Sequence, residues 1–420
     1  MRVDGKKTNE PSIFGTNYSN GLKTNCDAWC YSFSEKTLVT NIQRYINTYN
    51  SEVKRWTNSD KNEKIENFVL KDPTNISWHS GILPKVKQGI IGKFDNKSIF
   101  KGIYRPFVGS FVYFNRLINQ RVAKLPLFFP ANETKNLVIC SSGVDNRIIC
   151  VNQNAKDAGQ IALMTNHIAD LHFNGDTQCF PRWLPGEQAK KAEDVLDFGE
   201  PNEVPSGFSP EALPHFQAAY PGMPMTEDEL FYYIYGILHS EDYRTRYANN
   251  LMKELPRIPR VATYEQFMAF SKAGRELARL HVYFEDMEPY SGVSIEYTKP
   301  GQPSYRVKQM KWGKIKGKTG NAAKDKTTLI YNDWITVKNI PLEAQEYVVN
   351  KKSALDWVVE RVCVSVDKAS GIVNDFNDYA AEMGNERYPL DLFLKIITVS
   401  LETMKIVKAL PKLEIHPLDK

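Results

Sequence analysis

Two helix-start signals near the middle of the chain constrain its fold more than any other feature. Thr226-Glu227-Asp228-Glu229 places a hydroxyl at an N-cap and a carboxylate three residues on. In that pattern each side chain satisfies a backbone N–H beside the other. It opens "ELFYYIYGILHS", a helix of about a dozen residues. Thr263 and Gln266 repeat the signature and predict a helix to about Glu285, with Phe267, Phe270, Leu277, Leu280 and Phe284 in register. Between the two, "SEDYRTRYANNLMKELPRIPR" continues the helical material until Pro256 and Pro259 stop it.

The flanking sequence does not alternate strand with helix. Ser34 opens a predicted helix through about Asn50, with Leu38, Ile42, Tyr45, Ile46 and Tyr49 on one side. Residues 100 to 180 read as β. There "NLVIC" and "RIICV" flank Ser141 to Asn146 as a hairpin, and "IALMTNHIADLHF" is a further apolar run. Residues 185 to 225, rich in Pro, Gly and acids, read as a long surface loop. Residues 293 to 338 return to β, with "VSIEYT" and "SYRVKQMKW" joined through a turn at Lys299-Pro300-Gly301-Gln302. Helices are expected at about 341–350, 353–364 and 387–408, the last with Leu390, Phe393, Leu394, Ile397, Leu401 and Met404 as a stripe. The fold class is therefore α+β: mixed β-sheet regions interleaved with helices, and a helical C-terminal part. The expected segments are 1–100 (helical and irregular), 101–340 (mixed β/α) and 341–420 (helical).

At 420 residues the chain is ample for a buried core. Its 42% hydrophobic and 25% charged content is ordinary for a globular protein. No apolar run approaches the roughly 18 residues of a membrane span, and the polar N-terminus does not resemble a signal peptide. A cytoplasmic location without membrane partners is the expectation. Six cysteines are too sparse for a disulfide scaffold. Cys26 and Cys30 lack a second pair at zinc-ribbon spacing and are expected as buried thiols.

Catalytic signatures are missing. There is no GxxxxGK[ST], no GxGxxG after a strand and no GxSxG elbow. An adenine methyltransferase needs Asn/Asp-Pro-Pro-aromatic to grip a flipped base, but Asp72-Pro73 runs into Thr74. His167 and His172 stand at a spacing that fits no standard ligand set, and are expected as structural. Asp375 and Asp378 lack the rest of an EF-hand loop and read as a turn or helix cap. No catalytic and no metal-ligating residue is assigned.

Charge is more informative. Arg306, Lys308, Lys311, Lys314, Lys316, Lys318, Lys324 and Lys326 stand with a single acid, Asp325, so that this window is +7 in a chain of net +5. Such lysines on a β-segment could lie along a phosphate backbone, with Gly313, Gly317 and Gly320 permitting close approach; a solvated loop is the alternative. The arginines of "YRTRY" and "PRIPR" are expected to pair with nearby acids such as Glu241, Asp242 and Glu254. "YRPFVGSFVYFNRLINQR" (104–121) interleaves five aromatic rings with Arg105, Arg116 and Arg121. By composition it suits either a nucleic-acid platform or the wet edge of a sheet.

"YGILHSEDYRTRYANNLMKELPRIPRV" and "GRELARLHVYFE" resemble the C-terminal specificity region of single-chain Type I (Type ISP) restriction–modification enzymes. The resemblance continues through "YNDWITVKNIP", "SALDWVVERV", "DKASGIVNDFND" and "IITVSLETMKIVKALP", and upstream through "GLKTNCDAWCYSF" and "YRPF". It covers about residues 15 to 410. The family pattern reads "NDPND" where this chain has Asn374-Asp375-Phe376-Asn377-Asp378, which bears on the local turn.

The resemblance implies sequence-specific recognition of duplex DNA. The methyltransferase, translocase and nuclease would lie in other parts of the enzyme or in a partner chain. S-adenosylmethionine, ATP and Mg are implied only for that full enzyme, and no cofactor for this chain. It also implies that "YRPF" is shared by relatives that read different sites, so Tyr104, Arg105 and Phe107 are expected as scaffold or backbone contact. The expected DNA-binding residues are Lys308, Lys311, Lys314, Lys316 and Lys318, with Arg116, Arg121 and Arg105. The competing readings are a methyltransferase/helicase fragment with residual enzymatic role, and an assembly module that docks protein.

Overall fold

The computed structural model describes residues 1–5, 11–130, 145–152, 162–186, 204–316 and 322–419. It is a mixed α+β structure with three four-stranded sheets. The first sheet is antiparallel, in the order Ser19–Asn20, Thr177–Pro181, Ile148–Asn152, Ala162–Thr165. Its side chains alternate between two apolar clusters. Ile148, Cys150, Leu163 and Cys179 enter one cluster, and Ile149, Val151, Met164 and Phe180 the other. That is the period of a strand buried on both faces.

The second cluster is built on the two capped helices. Thr226 accepts from the Glu229 N–H at 3.2 Å, and Glu229 accepts from the Thr226 N–H at 2.7 Å, so the box is complete and opens Glu227–His239. Thr263 likewise accepts from the Gln266 N–H and opens Tyr264–Val282. The two helices touch backbone to backbone where glycines meet. A Cβ on Gly274 would stand 1.9 Å from the Tyr232 carbonyl, and one on Gly236 2.2 Å from that of Phe270.

The larger cluster gathers the helices Glu35–Thr57, Ala354–Arg361, Phe376–Glu382 and Tyr388–Lys408 and the other two sheets. The second sheet runs Tyr31–Ser32, Val108–Tyr113, Ile99–Arg105, Ile168–Ala169, its last pair parallel. The third is antiparallel, in the order Lys311–Lys316, Ala322–Ile330, Ile335–Lys338, Ser294–Tyr297. Both clusters draw on residues from across the chain. Among the described residues no helix is long and apolar enough to cross a membrane.

Several elements differ from the sequence expectation. The Ser34-capped helix runs on to Thr57 because Val53 and Trp56 extend its buried face. "SYRVKQMKW" does not pair with "VSIEYT": Ser294–Tyr297 pairs instead with Ile335–Lys338. Residues 304–309 find other partners. Asn332 donates to the Ser304 and Arg306 carbonyls, Asn377 accepts from the Val307 N–H, and the Lys308 carbonyl accepts from the Val364 N–H. The described part of the expected 185–225 loop holds the helix Ala212–Gln217 and buries Phe208, Phe216 and Tyr220 in the second cluster. The expected 341–350 helix is a single 3-10 turn, Leu342–Gln345. It is followed by a hairpin turning at Asn350 and Lys351, both at positive φ, the backbone of a tight primed turn. The helical run after Ser240 is split into Glu241–Arg246 and Ala248–Leu251. "NLVIC" and Ser141 to Val144 of the expected hairpin lie outside the described residues.

Candidate nucleic-acid interface

The basic window forms the outer hairpin of the third sheet. Lys311–Lys316 pairs with Ala322–Ile330, and the ladder is interrupted once. Trp312 lies opposite Leu329 but Gly313 lies opposite Asp325. Lys326, Thr327 and Thr328 therefore bulge from the partner strand. Asp325 braces the bulge by accepting from the Thr327 N–H at 2.9 Å and its hydroxyl at 2.6 Å. Gly313 belongs to this device: a Cβ there would stand 3.0 Å from the Thr328 Cβ. Its freedom from a side chain thus has a packing reason, whereas Gly317 and Gly320 lie outside the described residues.

The bulge anchors the hairpin. Trp312 is buried, and its indole N–H donates to Asp356 Oδ1 at 2.8 Å. The Lys326 ammonium pairs with the same carboxylate and stands 4.4 Å from the centre of the Trp312 ring. Burial pushes the Asp356 carboxyl up, but hydrogen bonds from Lys326 and Trp312 outweigh it and hold it below the ordinary value. Asp356 lies in the first turn of Ala354–Arg361, so the hairpin is tied to a helix of the main cluster.

Around the anchor the charge is left open. Arg306 pairs with Asp375 and Lys326 with Asp356. Lys308, Lys311, Lys314 and Lys324 are exposed, and no ion pair engages them among the described residues. Lys314 and Lys324 are direct cross-strand partners. Like charges in that position destabilise a sheet by roughly 0.2–1 kcal/mol, and a polyanion on that face removes the penalty. Lys324 was in the basic window, but its position opposite Lys314 was not legible, because the bulge shifts the register. Lys316 ends the described strand, and Lys318 lies outside the described residues.

The three arginines of residues 104–121 separate. Pro106-Phe107 is a two-residue turn between Ile99–Arg105 and Val108–Tyr113. Phe107 is at φ +61°, and its ring packs on His281, Phe284 and Tyr347. Packing holds a conformation that a bulky residue otherwise avoids. Arg105 donates to Asp170 Oδ1 at 2.8 Å and lies 3.8 Å over the Tyr104 ring, with its side chain 14% exposed. Tyr31 and the His172 N–H also donate to Asp170. Burial pushes the Asp170 carboxyl up although Arg105 opposes it. Arg105 is thereby committed inward. Arg116 and Arg121 are exposed on the segment that follows the second strand, with no ion pair among the described residues. The Arg116 and Leu117 carbonyls accept from Lys85, and Arg121 exchanges backbone hydrogen bonds with Lys23 at 2.9 and 3.0 Å.

Other singled-out residues have local partners. His167 shares a hydrogen bond with Asn166, and His172 faces Asp176 at 3.8 Å. Asp375 caps Phe376–Glu382 by accepting from the Asn377 N–H at 2.9 Å, so "NDFND" is a helix cap. Arg257 pairs with Glu254 as expected, but Arg260 pairs with the distant Asp419. Cys26 and Cys30 are buried thiols, their sulfurs 3.3 Å apart.

The family model of the Type ISP C-terminal specificity domain matches residues 12–392. No match was found among curated proteins. Among the solved structures that match, three each cover 99% of this chain. One is a nuclease-deletion mutant of the Type ISP restriction–modification enzyme LlaGI in complex with a DNA substrate mimic (31% identity, TM-score 0.78). Another is the ATP-dependent Type ISP enzyme LlaBIII bound to DNA (27%, 0.80). The third is a DrdV–DNA complex (25%, 0.78). The chain spans 34%, 25% and 38% of those chains, respectively.

Proposed function

We propose, from the premise that this chain belongs to the family of Type ISP C-terminal specificity domains, that it recognises a target sequence in duplex DNA. It positions that duplex for adenine-N6 methylation, translocation and cleavage by parts of a longer enzyme or by a partner chain. S-adenosylmethionine, ATP and Mg serve those parts, and this chain contributes no catalytic group and works in the cytoplasm.

The observation that carries the reading is the anchored lysine hairpin. Trp312, Lys326 and Asp356 anchor it, with Lys314 and Lys324 exposed on the tip side of the anchor and Lys308 and Lys311 exposed on the chain leading into it. Lysines in that arrangement neutralise phosphates and set register without reading bases. In this reading Lys316 and Lys318 continue the phosphate contact, and Arg116 and Arg121 form a second contact. Arg105 supports the scaffold beneath it. Bases are read by neighbouring side chains in a groove.

Selection of bound duplexes from a random pool at moderate salt tests the reading. A recovered consensus, with affinity falling steeply as salt rises, supports it. Recovery of no consensus and a flat salt response would replace it with a protein-docking module.

A further inference from the structure

Four of the five described cysteines stand in two close pairs. Cys150 and Cys179 face each other across adjacent strands with sulfurs 3.9 Å apart, buried in the same cluster as Cys26 and Cys30 but held on two paired strands. Burial pushes the Cys150 thiol up. Cys26 and Cys30 are set differently. Their sulfurs are 3.3 Å apart. Cys26 is the N-cap of Asp27–Cys30, outside the helix, at φ −148° and ψ 48°. It follows Asn25, which is exposed and at φ +56°. The hydrogen bond from Cys30, and next the hydrogen bond and charge of His79, bring the Cys26 thiol down to about 7 against the push of burial.

This dithiol lies under the segment that carries Arg116 and Arg121. Asn119 donates to Cys30 Sγ at 3.4 Å, and Asn119 Oδ1 accepts from the Asn115 N–H at 2.7 Å. The Thr24 carbonyl accepts from both Cys26 Sγ (3.5 Å) and the Gln120 N–H (3.2 Å). His79 Nε2 bonds the Ile118 carbonyl at 2.7 Å. The Asn115–Asn119 bond braces the segment internally, and the other links join it to Cys30, to Thr24 beside Cys26, and to His79.

We propose that Cys26 and Cys30 are a redox-modification site, closed to an intrachain disulfide by a hydroperoxide, and that closure loosens residues 115–121. The Cys26 thiolate attacks one oxygen of hydrogen peroxide, the O–O bond breaks and hydroxide leaves, giving a sulfenic acid. Cys30 sulfur then attacks Cys26 sulfur, the S–O bond breaks, and the departing hydroxide takes the Cys30 proton as water. The two thiols lose two electrons and two protons, and the peroxide is reduced to two waters. Closure brings the sulfurs from 3.3 Å to bonding distance, a movement of about 1.2 Å. Cys26 can move because it precedes the helix. Cys30 loses the lone-pair geometry that received Asn119, and the Thr24 carbonyl moves with Cys26.

The disulfide does not depend on the DNA reading; only its consequence for duplex affinity rests on that reading. The test therefore uses two readouts that need no DNA. The full chain is treated with hydrogen peroxide, alkylated and digested at lysine and arginine. Residues 24–36 come away as one peptide containing both thiols. That peptide is expected lighter by two hydrogens and unalkylated, and restored by dithiothreitol, while Cys150 and Cys179 stay reduced. Amide hydrogen exchange over residues 115–121 is expected to quicken severalfold in the oxidised protein and to return on reduction. The Cys30→Ser chain should show neither change. A 24–36 peptide that stays fully alkylatable, or that stops at a sulfinic acid, overturns the site. A disulfide with unchanged exchange over 115–121 overturns the coupling.

Discussion

Arg105, at the end of its strand, and Asp170, the residue after the neighbouring parallel strand Ile168–Ala169, close an ion pair, Nη1 to Oδ1 at 2.8 Å, with the Asp170 side chain only 4% exposed. The pair fixes where Arg105 sits in the aromatic–arginine stretch. An arginine committed to a buried carboxylate and stacked on Tyr104 is part of the sheet's support. Arg116 and Arg121, beyond the second strand, keep their charge outside.

Breaking that pair from one side strands a buried charge. Asp170→Ala leaves Arg105 without its carboxylate and Tyr31 without its acceptor. The expected cost is about 3–5 kcal/mol, read as a lower urea midpoint. Adding Arg105→Met to Asp170→Ala should recover much of it. A double variant no more stable than Asp170→Ala would show that the aspartate matters for another reason.

The glycine crossing of the two capped helices gives a second expectation. Gly274→Ala forces a Cβ into the Tyr232 carbonyl, against backbone that no rotamer change relieves. The helices must part, at about 1–3 kcal/mol or more. Gly222→Ala is a control of a different kind: Gly222 has no atom within 4 Å of a Cβ but sits at φ +78°, so its cost is backbone strain alone. Thermal unfolding of both variants separates crowding from strain.

What was legible in the sequence was local. A cap joins residues three apart, so Ser34, Thr226 and Thr263 announced their helices correctly. The choice of strand partner was not legible. The Ile335–Lys338 strand and the segment 304–309 are both polar-apolar mixtures near "VSIEYT", and what separates them is Asn332 and Asn377 taking the backbone of 304–307. The same holds for the candidate site. The charge of the hairpin was plain, but a three-residue bulge placed Lys324 opposite Lys314 and turned Lys326 inward to Asp356. The inward commitment of Arg105 depends on Asp170, which is distant in sequence.

Buried histidines set the expected response to acid. His239 is fully buried and its pKa is brought down to about 4 by burial, and His281 is held well below its ordinary value by burial and by neighbouring His239. Both are neutral in the folded chain and take up a proton on unfolding below about pH 6.5. The unfolded state then binds more protons, so stability is lost as pH falls from about 6.5 towards 4. Each such histidine contributes a slope of up to about 1.4 kcal/mol per pH unit in that window. His239→Phe should flatten the dependence of the urea midpoint on pH, whatever it does to the midpoint at neutrality. An unchanged slope would mean that the imidazole is already protonated in the fold.

The lysine hairpin makes the last prediction. Replacing Lys314, Lys316 and Lys318 by Ala should weaken all duplexes about equally. It should reduce the slope of log affinity against log salt by roughly 0.9 for each phosphate no longer neutralised. Preference among sequences should change little, because phosphate contacts position the duplex without reading it. Lys324 sharpens the test, since it faces Lys314 across the ladder. Lys324→Ala should lower duplex affinity and its salt slope in the same way. Yet it should leave the free protein as stable as before or a few tenths of a kcal/mol more so, because it removes a like-charge cross-strand pair. Lys326→Ala should behave oppositely, costing stability by releasing Asp356 and Trp312 with less effect on the salt slope. If the triple variant and Lys324→Ala both bind with unchanged affinity and slope, the hairpin is a solvated edge. The DNA face then lies around Arg116 and Arg121, and Arg116→Ala with Arg121→Ala should carry the salt dependence instead.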